Sequence, residues 1–461
     1  MLVKNPHEKI YRREQKMEDK WKELSTDEKQ EEMFKRWLSP QGIEFTNPEA
    51  EKAYKERVTR IKDAIQLKKN PDRVPVMLML GFFPAFYSGI TPREAMYDYD
   101  KLLMAWKKMI LDFKPDAHIG CFVPGPGKLF DILDYKLYAW PGHGASPNHS
   151  YQCLESDYMK VDEYDAFIQD PSGYFRSVYL PRVFGALDPL KQLAPLTNIV
   201  ELPFTGGNIL PYGLPDVQEA LKALMEAGSE ALKWAGTLGA YDKEMAEAGF
   251  PNFFGGASKA PYDTLGDTLR GTRGIMLDIY RQPDKVLEAL RVITPLMVNM
   301  GVSMAKMNGN PIVFIPLHKG ADGFLSDEQF KTFYWPTFKK LLMGLIEEGC
   351  VPFSYVEGGF NSRLDVIKDV PKGKVIWAFD TTDMTRAKEI LGSSACIGGN
   401  MPIALLNIGT PQEVKDYAKK LIDTAGKDGG YIMMNGAVID EAKPENIKAM
   451  IDFTKEYGVY K

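Results

Sequence analysis

The sequence predicts an α/β fold in which parallel strands alternate with helices and close into a (β/α)₈ barrel of the TIM type, preceded by a helical extension. Short apolar runs are separated by helix-length segments through most of the chain, and no G-x-G-x-x-G turn follows any of them. Repeated strand–helix units imply parallel strands with right-handed crossovers. The missing dinucleotide-binding turn favours a closed barrel over a doubly wound sheet. We therefore predict a helical arm at residues 1–70 and the barrel at residues 71–461.

The composition is that of a soluble globular protein. The chain has 461 residues, of which 44% are hydrophobic, and a formal net charge of −5. This charge gives no general attraction to nucleic acid or to anionic membranes. The four cysteines form no C-x-x-C pair, the first forty residues lack the apolar stretch of a secretory signal, and no apolar run reaches the ~18 residues of a membrane span. These features predict a cytoplasmic protein with free thiols.

The elements follow in order along the chain. The arm is rich in Lys and Glu with scattered apolar anchors, and it packs either on the barrel or on a second subunit, which leaves a homodimer open. Residues 124–160, rich in Gly, Pro and aromatic residues, predict a long functional loop. The predicted strands are Val76–Leu80, Ala117–Val123, Phe253–Ala257, 311–315, Val351–Val356, Lys374–Phe379, Ala395–Ile397 and Tyr431–Met434, with a weaker one at Ile199–Leu202. A helix is predicted over Leu214–Leu238.

Polar residues directly follow several of these strands, where a barrel of this type gathers its chemistry. They are His318, Lys319, Glu357, Asn361, Arg363, Asp380, Asn400 and Asn435. Several also have a structural interpretation: His318 as a hydrogen-bonded loop residue, Glu357 as a loop acceptor or the ion-pair partner of Arg363, Asp380 as a helix cap, and Asn400 and Asn435 as partners of turn backbone. We expect His318 and Glu357 to face each other across an aromatic cavity.

Aromatic residues dominate the neighbouring loops, whereas common catalytic motifs are missing. Phe82, Phe83, Phe86 and Tyr87 follow the first strand, and six more aromatic residues lie within 124–160. They suit a flat, apolar ligand or a packed lid. The sequence contains no P-loop, H-E-x-x-H, G-x-S-x-G or Cys/His zinc spacing.

The second part of the chain resembles the uroporphyrinogen decarboxylase superfamily, including its corrinoid-dependent methyltransferase branch. The resemblance extends over residues 71–461 and implies a barrel with its active site at the mouth. The stretches that carry it are Tyr280–Pro283, Gly323–Phe330, Tyr334–Pro336, Gly349–Pro352, Gly398–Pro402, Leu405–Val414, Gly429–Ile432 and Pro444–Met450.

Two branches of this superfamily fit the chain poorly. The decarboxylases resemble one another in an arginine-rich signature after the first strand, whereas residues 79–87 are aromatic and contain no arginine. A substrate with eight carboxylates would find no charged partner there. The thiol-methylating members bind zinc through a His-x-Cys-Gly motif and a later cysteine. Residues 355–359 and 435–437 lack these ligands. A different zinc site that uses His318 and Glu357 stays open, because Zn²⁺ accepts nitrogen and oxygen ligands.

The remaining branch demethylates small substrates, and the chain resembles the substrate-side methyltransferases of anaerobic aryl methyl ether O-demethylases. This resemblance implies methyl transfer from a methoxylated aromatic to the Co(I) of a separate corrinoid protein. Glu357 or His318 would protonate the leaving oxygen. The expected substrate-binding residues are Phe83, Tyr87, Tyr355, Asn361, Arg363, Asp380 and Asn435. The alternatives are decarboxylation of an aromatic or tetrapyrrole acid, and a non-catalytic ligand-binding protein.

Overall fold

The centre of the computed structural model, which describes residues 20–196 and 201–460, is a sheet of six parallel strands. Each strand pairs with the next one along the chain. The strands are β4 (Gly256–Ala257), β5 (Ile312–Leu317), β6 (Val351–Val356), β7 (Ile376–Phe379), β8 (Cys396–Gly399) and β9 (Tyr431–Ile432). Every residue of β6, β7 and β8 is buried, which explains the continuous apolar runs in the sequence.

Two further strand-like segments, residues 76–80 (the first ring segment) and residues 116–119 (the second ring segment), close this sheet into a barrel of eight. Residues 76–80 and 116–119 fill the gap between β9 and β4 through parallel bridges, Val76 to Met433, Met77 to Ala117 and His118 to Asn252. Backbone hydrogen bonds support each junction, as in Met77 N to Met433 O (3.0 Å) and Phe253 N to His118 O (2.7 Å). The predicted (β/α)₈ barrel is therefore confirmed.

Helices surround the ring. The longer ones are Tyr99–Phe113, Pro215–Glu247, Gly271–Arg281, Pro283–Asn308, Trp335–Glu347, Met384–Leu391, Pro411–Thr424 and Pro444–Tyr457. Within the described residues one of them, Pro283–Asn308, has the length and composition of a membrane span. It packs as an outer helix of the barrel and buries Val286, Leu290 and Ile293 against the core.

Two helices of the N-terminal segment cover the end of the barrel where the strands begin. Thr26–Leu38 starts at a capping box formed by Ser25 and Glu28, and Pro48–Gln66 starts at Asn47. The loop before β6 comes so close that a Cβ at Gly349 would lie 2.7 Å from the carbonyl carbon of Lys29. This contact requires glycine. Residues 1–19 lie outside the described residues, and the domain boundary at residue 70 stays a prediction.

A long insertion, residues 120–251, separates the second ring segment from β4. Residues 124–160 are not simply a loop, because they form the helix Gly127–Leu133 and a small sheet of β1 (Tyr138–Pro141), β2 (Gly144–Ala145) and β3 (Gln152–Cys153). The predicted helix at Leu214–Leu238 is part of the longer helix Pro215–Glu247. The weak strand at Ile199–Leu202 falls largely outside the described residues, and Leu202 begins the helix Leu202–Ile209.

Candidate active site

The loop after β5 is held by a buried carboxylate. His318 directly follows the strand, and its backbone N–H donates to Asp263 Oδ2 (3.1 Å), while the N–H of Lys319 donates to Asp263 Oδ1 (2.8 Å). The hydroxyl of Tyr334 donates to the same carboxylate at 2.7 Å. Burial raises the pKa of Asp263, and the charge of Asp267 adds to this effect. Asp263 thus fixes the backbone that presents His318.

The imidazole of His318 lies between two carboxylates. Its Nδ1 is 2.6 Å from Asp267 Oδ2, and its Nε2 is 3.6 Å from Oε1 of Glu357, the residue that follows β6. Burial alone would lower the pKa of His318, but the interactions with Asp267 and Glu357 outweigh it and raise this pKa to about 10. At neutral pH the group is therefore an imidazolium with a proton on each nitrogen.

Asp267 is the residue that orients this imidazolium. Besides His318 it contacts Lys259 Nζ at 2.8 Å and Lys319 Nζ at 3.4 Å. Burial opposes its ionisation, but the hydrogen bond from His318 and the charge of Lys259 hold the pKa of Asp267 well below its usual range. Asp267 lies on a π-helical turn, Thr264–Leu269, and Tyr334 ends another, Phe330–Tyr334. Such turns are frequent at functional sites.

Replacing Asp267 by Asn should lower the pKa of His318 from about 10 toward its ordinary value of about 6.5, because the amide cannot stabilise the imidazolium as a carboxylate does. The measurement is an NMR titration of the His318 ring. Since the pKa is raised in the folded state, protonation of His318 stabilises the fold fully below about pH 6.5, and this contribution is lost as the pH rises toward 10. The variant should lose this pH dependence.

The matched control is Glu155→Gln, which removes a charge that contacts Lys319 and Thr272 without touching His318. The His318 pKa should hardly move in this variant. An unchanged His318 titration in Asp267→Asn would contradict the orienting role of Asp267.

Two other predicted residues adjoin Glu357. Asp380, after β7, accepts the N–H of Gly358 at 3.2 Å, and its pKa is raised by burial and by the charge of Glu357. Tyr355 lies within β6, and its buried hydroxyl donates to Gly436 O at 2.9 Å. Burial raises the pKa of Tyr355, and the charges of Glu357 and Asp380 add to it. Asp380 and Tyr355 therefore lie on the Glu357 side of the site.

Three predicted residues have their side chains engaged elsewhere. Arg363 is buried and binds Asp327 and the carbonyl oxygens of Gly320 and Leu325, so the expected pair with Glu357 is not formed. Asn361 Oδ1 accepts the N–H of Asp383 at 2.9 Å. Asn435 accepts the N–H of Met79 and donates to the carbonyls of Met79 and Ala437. Each side chain satisfies buried or loop backbone instead of projecting toward His318.

The aromatic residues after the first ring segment divide into two groups. Phe83 and Tyr87 stack on each other with ring centroids 5.7 Å apart and pack against Phe113 of the outer helix. Their predicted place in the substrate site is therefore not supported by their packing. Phe82 does not join this pair, and its ring centroid lies 5.8 Å from that of Tyr151.

The insertion forms an aromatic pocket beside the charged residues. Its cavity of about 200 Å³ is lined mainly by Met96, Phe130, Tyr135, Tyr138, Trp140 and Tyr151. Burial, together with the charges of Asp440 and Glu357, raises the pKa of Tyr151 to about 12. The charge of Asp267 adds to the effect of burial in raising the pKa of Tyr138. The pocket thus lies within electrostatic reach of the two carboxylates that flank His318.

The sequence prediction missed Lys259, Asp263 and Asp267. All three follow β4, which like β9 has only two residues. The rule that polar residues follow barrel strands would have pointed to Lys259 if applied to Phe253–Ala257, whereas Asp263 and Asp267 lie farther along the chain, in the helical turns that come next. No three His, Cys, Asp or Glu side chains converge to hold a metal ion in residues 20–196 and 201–460. The zinc site at His318 and Glu357 that the sequence leaves open stays a prediction.

Comparisons with known proteins agree with this fold. The family model described as uroporphyrinogen decarboxylase (URO-D) matches residues 248–457. The uroporphyrinogen decarboxylase of Syntrophotalea carbinolica is 25% identical over 131 residues, which are 28% of this chain and 37% of that protein. The enzyme of Chlorobium luteolum is 26% identical over 176 residues, 35% of this chain and 50% of that protein. The chain thus matches half or less of the length of these relatives.

A solved structure shares the architecture over a greater length. A methyltransferase from Methanosarcina mazei superposes with a TM-score of 0.55 at 14% sequence identity, over 87% of this chain and 98% of that one. At this identity the likeness concerns the fold. The family match over residues 248–457 and this likeness of fold both agree with the resemblance to the uroporphyrinogen decarboxylase superfamily seen in the sequence.

Proposed function

We propose that the protein is a cytoplasmic, corrinoid-dependent methyltransferase that removes the methyl group from a small methoxylated aromatic substrate. The observation that supports this proposal is the imidazolium of His318, held between Asp267 and Glu357 beside an uncharged aromatic pocket. The pocket suits an aromatic ring, and the imidazolium suits the oxygen from which the methyl group departs.

Ether cleavage requires a proton or a positive charge at the leaving oxygen. The product phenolate has a conjugate acid with a pKa of ~10, if it resembles tyrosine. The hydrogen bonds with Asp267 and Glu357 raise the pKa of His318 to about 10, so this donor carries its proton at neutral pH. The Nε2 contact with Glu357 is loose at 3.6 Å, so the ether oxygen can replace the carboxylate as the acceptor of this proton.

The methyl acceptor in this proposal is the Co(I) of a separate corrinoid protein, which supplies the nucleophile. The residues of this chain fit an acceptor that arrives from outside, because the side chains of His318 and Glu357 are 32% and 47% exposed. Phe122, Phe324 and Val438, on loops that follow barrel strands, are exposed apolar side chains that could contact such a partner. Asp267 and Asp263 would keep His318 in place while the acceptor approaches.

Decarboxylation of an aromatic or tetrapyrrole acid is the second candidate, because the curated relatives are decarboxylases. Its substrate would bring carboxylates into the site. In the described part of the chain no Arg or Lys side chain lines the aromatic pocket, and Asp440 and Glu357 act on Tyr151 there. This charge distribution supports the methyltransferase over the decarboxylase.

The two candidates are separated by one assay. The purified chain is mixed with a reduced corrinoid protein and a panel of methoxylated aromatics, and both the methyl-Co(III) absorbance and the free phenol are followed. A parallel reaction with aromatic and tetrapyrrole acids measures released CO₂. Phenol and methyl-Co(III) in equal amounts support the proposal. Release of CO₂ alone would overturn it, and binding without either product would identify a non-catalytic binding protein.

Glu357→Gln should slow this methyl transfer only about tenfold, the equivalent of a contact worth about 1.4 kcal/mol in the transition state. The sequence suggested Glu357 as the acid, but its side chain is half exposed, and His318 is the better-placed donor. Glutamine keeps the size and removes the charge that helps to hold the His318 proton. The measurement is single-turnover methyl transfer at pH 7, with Asp380→Asn as a neighbouring change of the same kind. A loss above 10³-fold, beyond the tenfold expectation, would return the acid role to Glu357.

A further inference from the structure

The aromatic pocket is a product of the insertion rather than of the barrel. Phe130, Tyr135, Tyr138, Trp140 and Tyr151 all belong to residues 124–160. Two ring pairs meet edge to face, Tyr138 on Tyr151 (5.6 Å between centroids, 88°) and Phe130 on Trp140 (5.6 Å, 70°). Tyr135 is tilted by 35–37° against Phe130, Tyr138 and Trp140. This packing orients the rings around the cavity in the way that aromatic side chains prefer.

We infer that this pocket is the subsite for the substrate ring and that it selects uncharged, single-ring methoxyarenes over those that carry a carboxylate. The inference rests on the proposed function and adds the substrate class to it. Two properties of the pocket carry it, its volume and the charges that reach it.

The volume limits the ligand to one ring. The cavity measures about 200 Å³. A protein cavity of about 150 Å³ holds benzene. A benzene ring with a methoxy group and one further small substituent therefore fills the pocket, whereas fused rings and a tetrapyrrole exceed it.

The surrounding charges disfavour a carboxylate on that ring. Asp440 accepts a hydrogen bond from Phe82 N at 2.9 Å, and the ring centroid of Phe82 lies 5.8 Å from that of the wall residue Tyr151. The charges of Asp440 and Glu357 add to burial in raising the pKa of Tyr151. The two lysines of the site, Lys259 and Lys319, are paired with Asp267. A benzoate in this pocket would lose its water and meet negative charges without a cationic partner.

One exposed arginine lies near the insertion without lining the pocket. Arg93 lies over the ring of Tyr97 at 5.0 Å and contacts Gly142. It is not among the residues that line the cavity in the described chain. A carboxylate bound between the rings therefore has no guanidinium partner there.

The test is calorimetric titration of the whole chain with a matched pair, 2-methoxyphenol and 4-hydroxy-3-methoxybenzoate, which differ by the carboxylate. We expect the benzoate to bind at least about tenfold more weakly, and 1-methoxynaphthalene to bind more weakly than either anisole or 2-methoxyphenol. Equal affinity for the benzoate and the phenol would overturn the inference. This titration needs no corrinoid protein and is therefore independent of the methyl-transfer assay. Selective binding in the titration together with no methyl transfer in that assay would defeat the proposed function and leave this inference standing.

A variant pair tests the location. Tyr151→Lys places an ammonium at a wall residue that is 39% exposed, and it should reverse the preference toward the benzoate. Tyr457→Lys makes the same change at a tyrosine that is 41% exposed on the last helix, and it should leave both affinities unchanged. If Tyr151→Lys leaves the selectivity as it was while the fold is intact by circular dichroism, the ring lies elsewhere and the inference fails.

Discussion

Replacing His318 by glutamine should reduce the rate of methyl transfer by about 10²–10⁴-fold, the usual contribution of a positioned proton donor. Glutamine can still donate a hydrogen bond from a similar position, but it carries no charge and has no proton to give at pH 7. The loss should fall on kcat more than on KM, because in the proposed complex the aromatic pocket, and not the imidazole, binds the ring of the substrate.

The pH dependence gives this result a second readout. In the wild-type protein, His318 is protonated below about pH 10, so the proposed activity should fall as the pH rises through that value. His318→Gln should lack this alkaline limb. The control is His149→Gln, an exposed histidine of the insertion. A His318→Gln enzyme with normal kcat and an unchanged alkaline limb would remove the imidazole from the mechanism.

The barrel and the pairing of His318 with Glu357 could be predicted because both depend on local sequence. A strand covered on both faces must be apolar throughout, so β5 and β6 stand out as runs that end abruptly at Leu317 and Val356. The next residue on each strand lies at the mouth by geometry alone. Adjacent strands with a fixed parallel register then bring the two side chains together.

The roles of Arg363 and Asn435 could not be predicted, because their partners are distant in sequence. Arg363 pairs with Asp327, 36 residues away, and Asn435 bonds to Met79, 356 residues away. A polar residue after a strand looks the same in the sequence whether it faces a ligand or satisfies buried backbone. The choice between Phe82 and Phe83 could not be made from the sequence for a related reason, since one step along a short helix turns the side chain by about 100°.

Asp267 was missed because a π-helical turn sets its direction. The turn Thr264–Leu269 adds a residue to the ordinary helical repeat, so a 3.6-residue pattern does not give the direction of Asp267. The pocket of the insertion could not be predicted from the sequence either. Its aromatic residues are visible in the sequence, but their meeting depends on the small sheet β1–β3, whose strands are as short as two residues.

Asn435→Asp should destabilise the fold by about 3–5 kcal/mol, although it changes one atom of the side chain. The amide of Asn435 is fully buried and fastens the first ring segment to the loop after β9. Its Oδ1 accepts from Met79 N at 2.9 Å, and its Nδ2 donates to Met79 O at 2.9 Å and to Ala437 O at 2.6 Å. A carboxylate still accepts the hydrogen bond from Met79 N. Its second oxygen faces the carbonyl oxygens of Met79 and Ala437, which lose their hydrogen-bond donor. Urea unfolding measures the loss.

The pH dependence of this loss of stability shows whether the buried carboxylate of Asn435→Asp causes it. Two facing carbonyls and burial raise the pKa of the introduced Asp in the folded state, so the deficit should be smallest below about pH 4 and grow as the pH rises. Asn361→Asp is the matched control, because Asn361 acts as an acceptor for Asp383 N and a carboxylate preserves that bond. Asn361→Asp should lower the free energy of unfolding by less than a third of the amount expected for Asn435→Asp. Equal losses at the two positions would mean that the donated bonds of Asn435 do not hold the barrel closed.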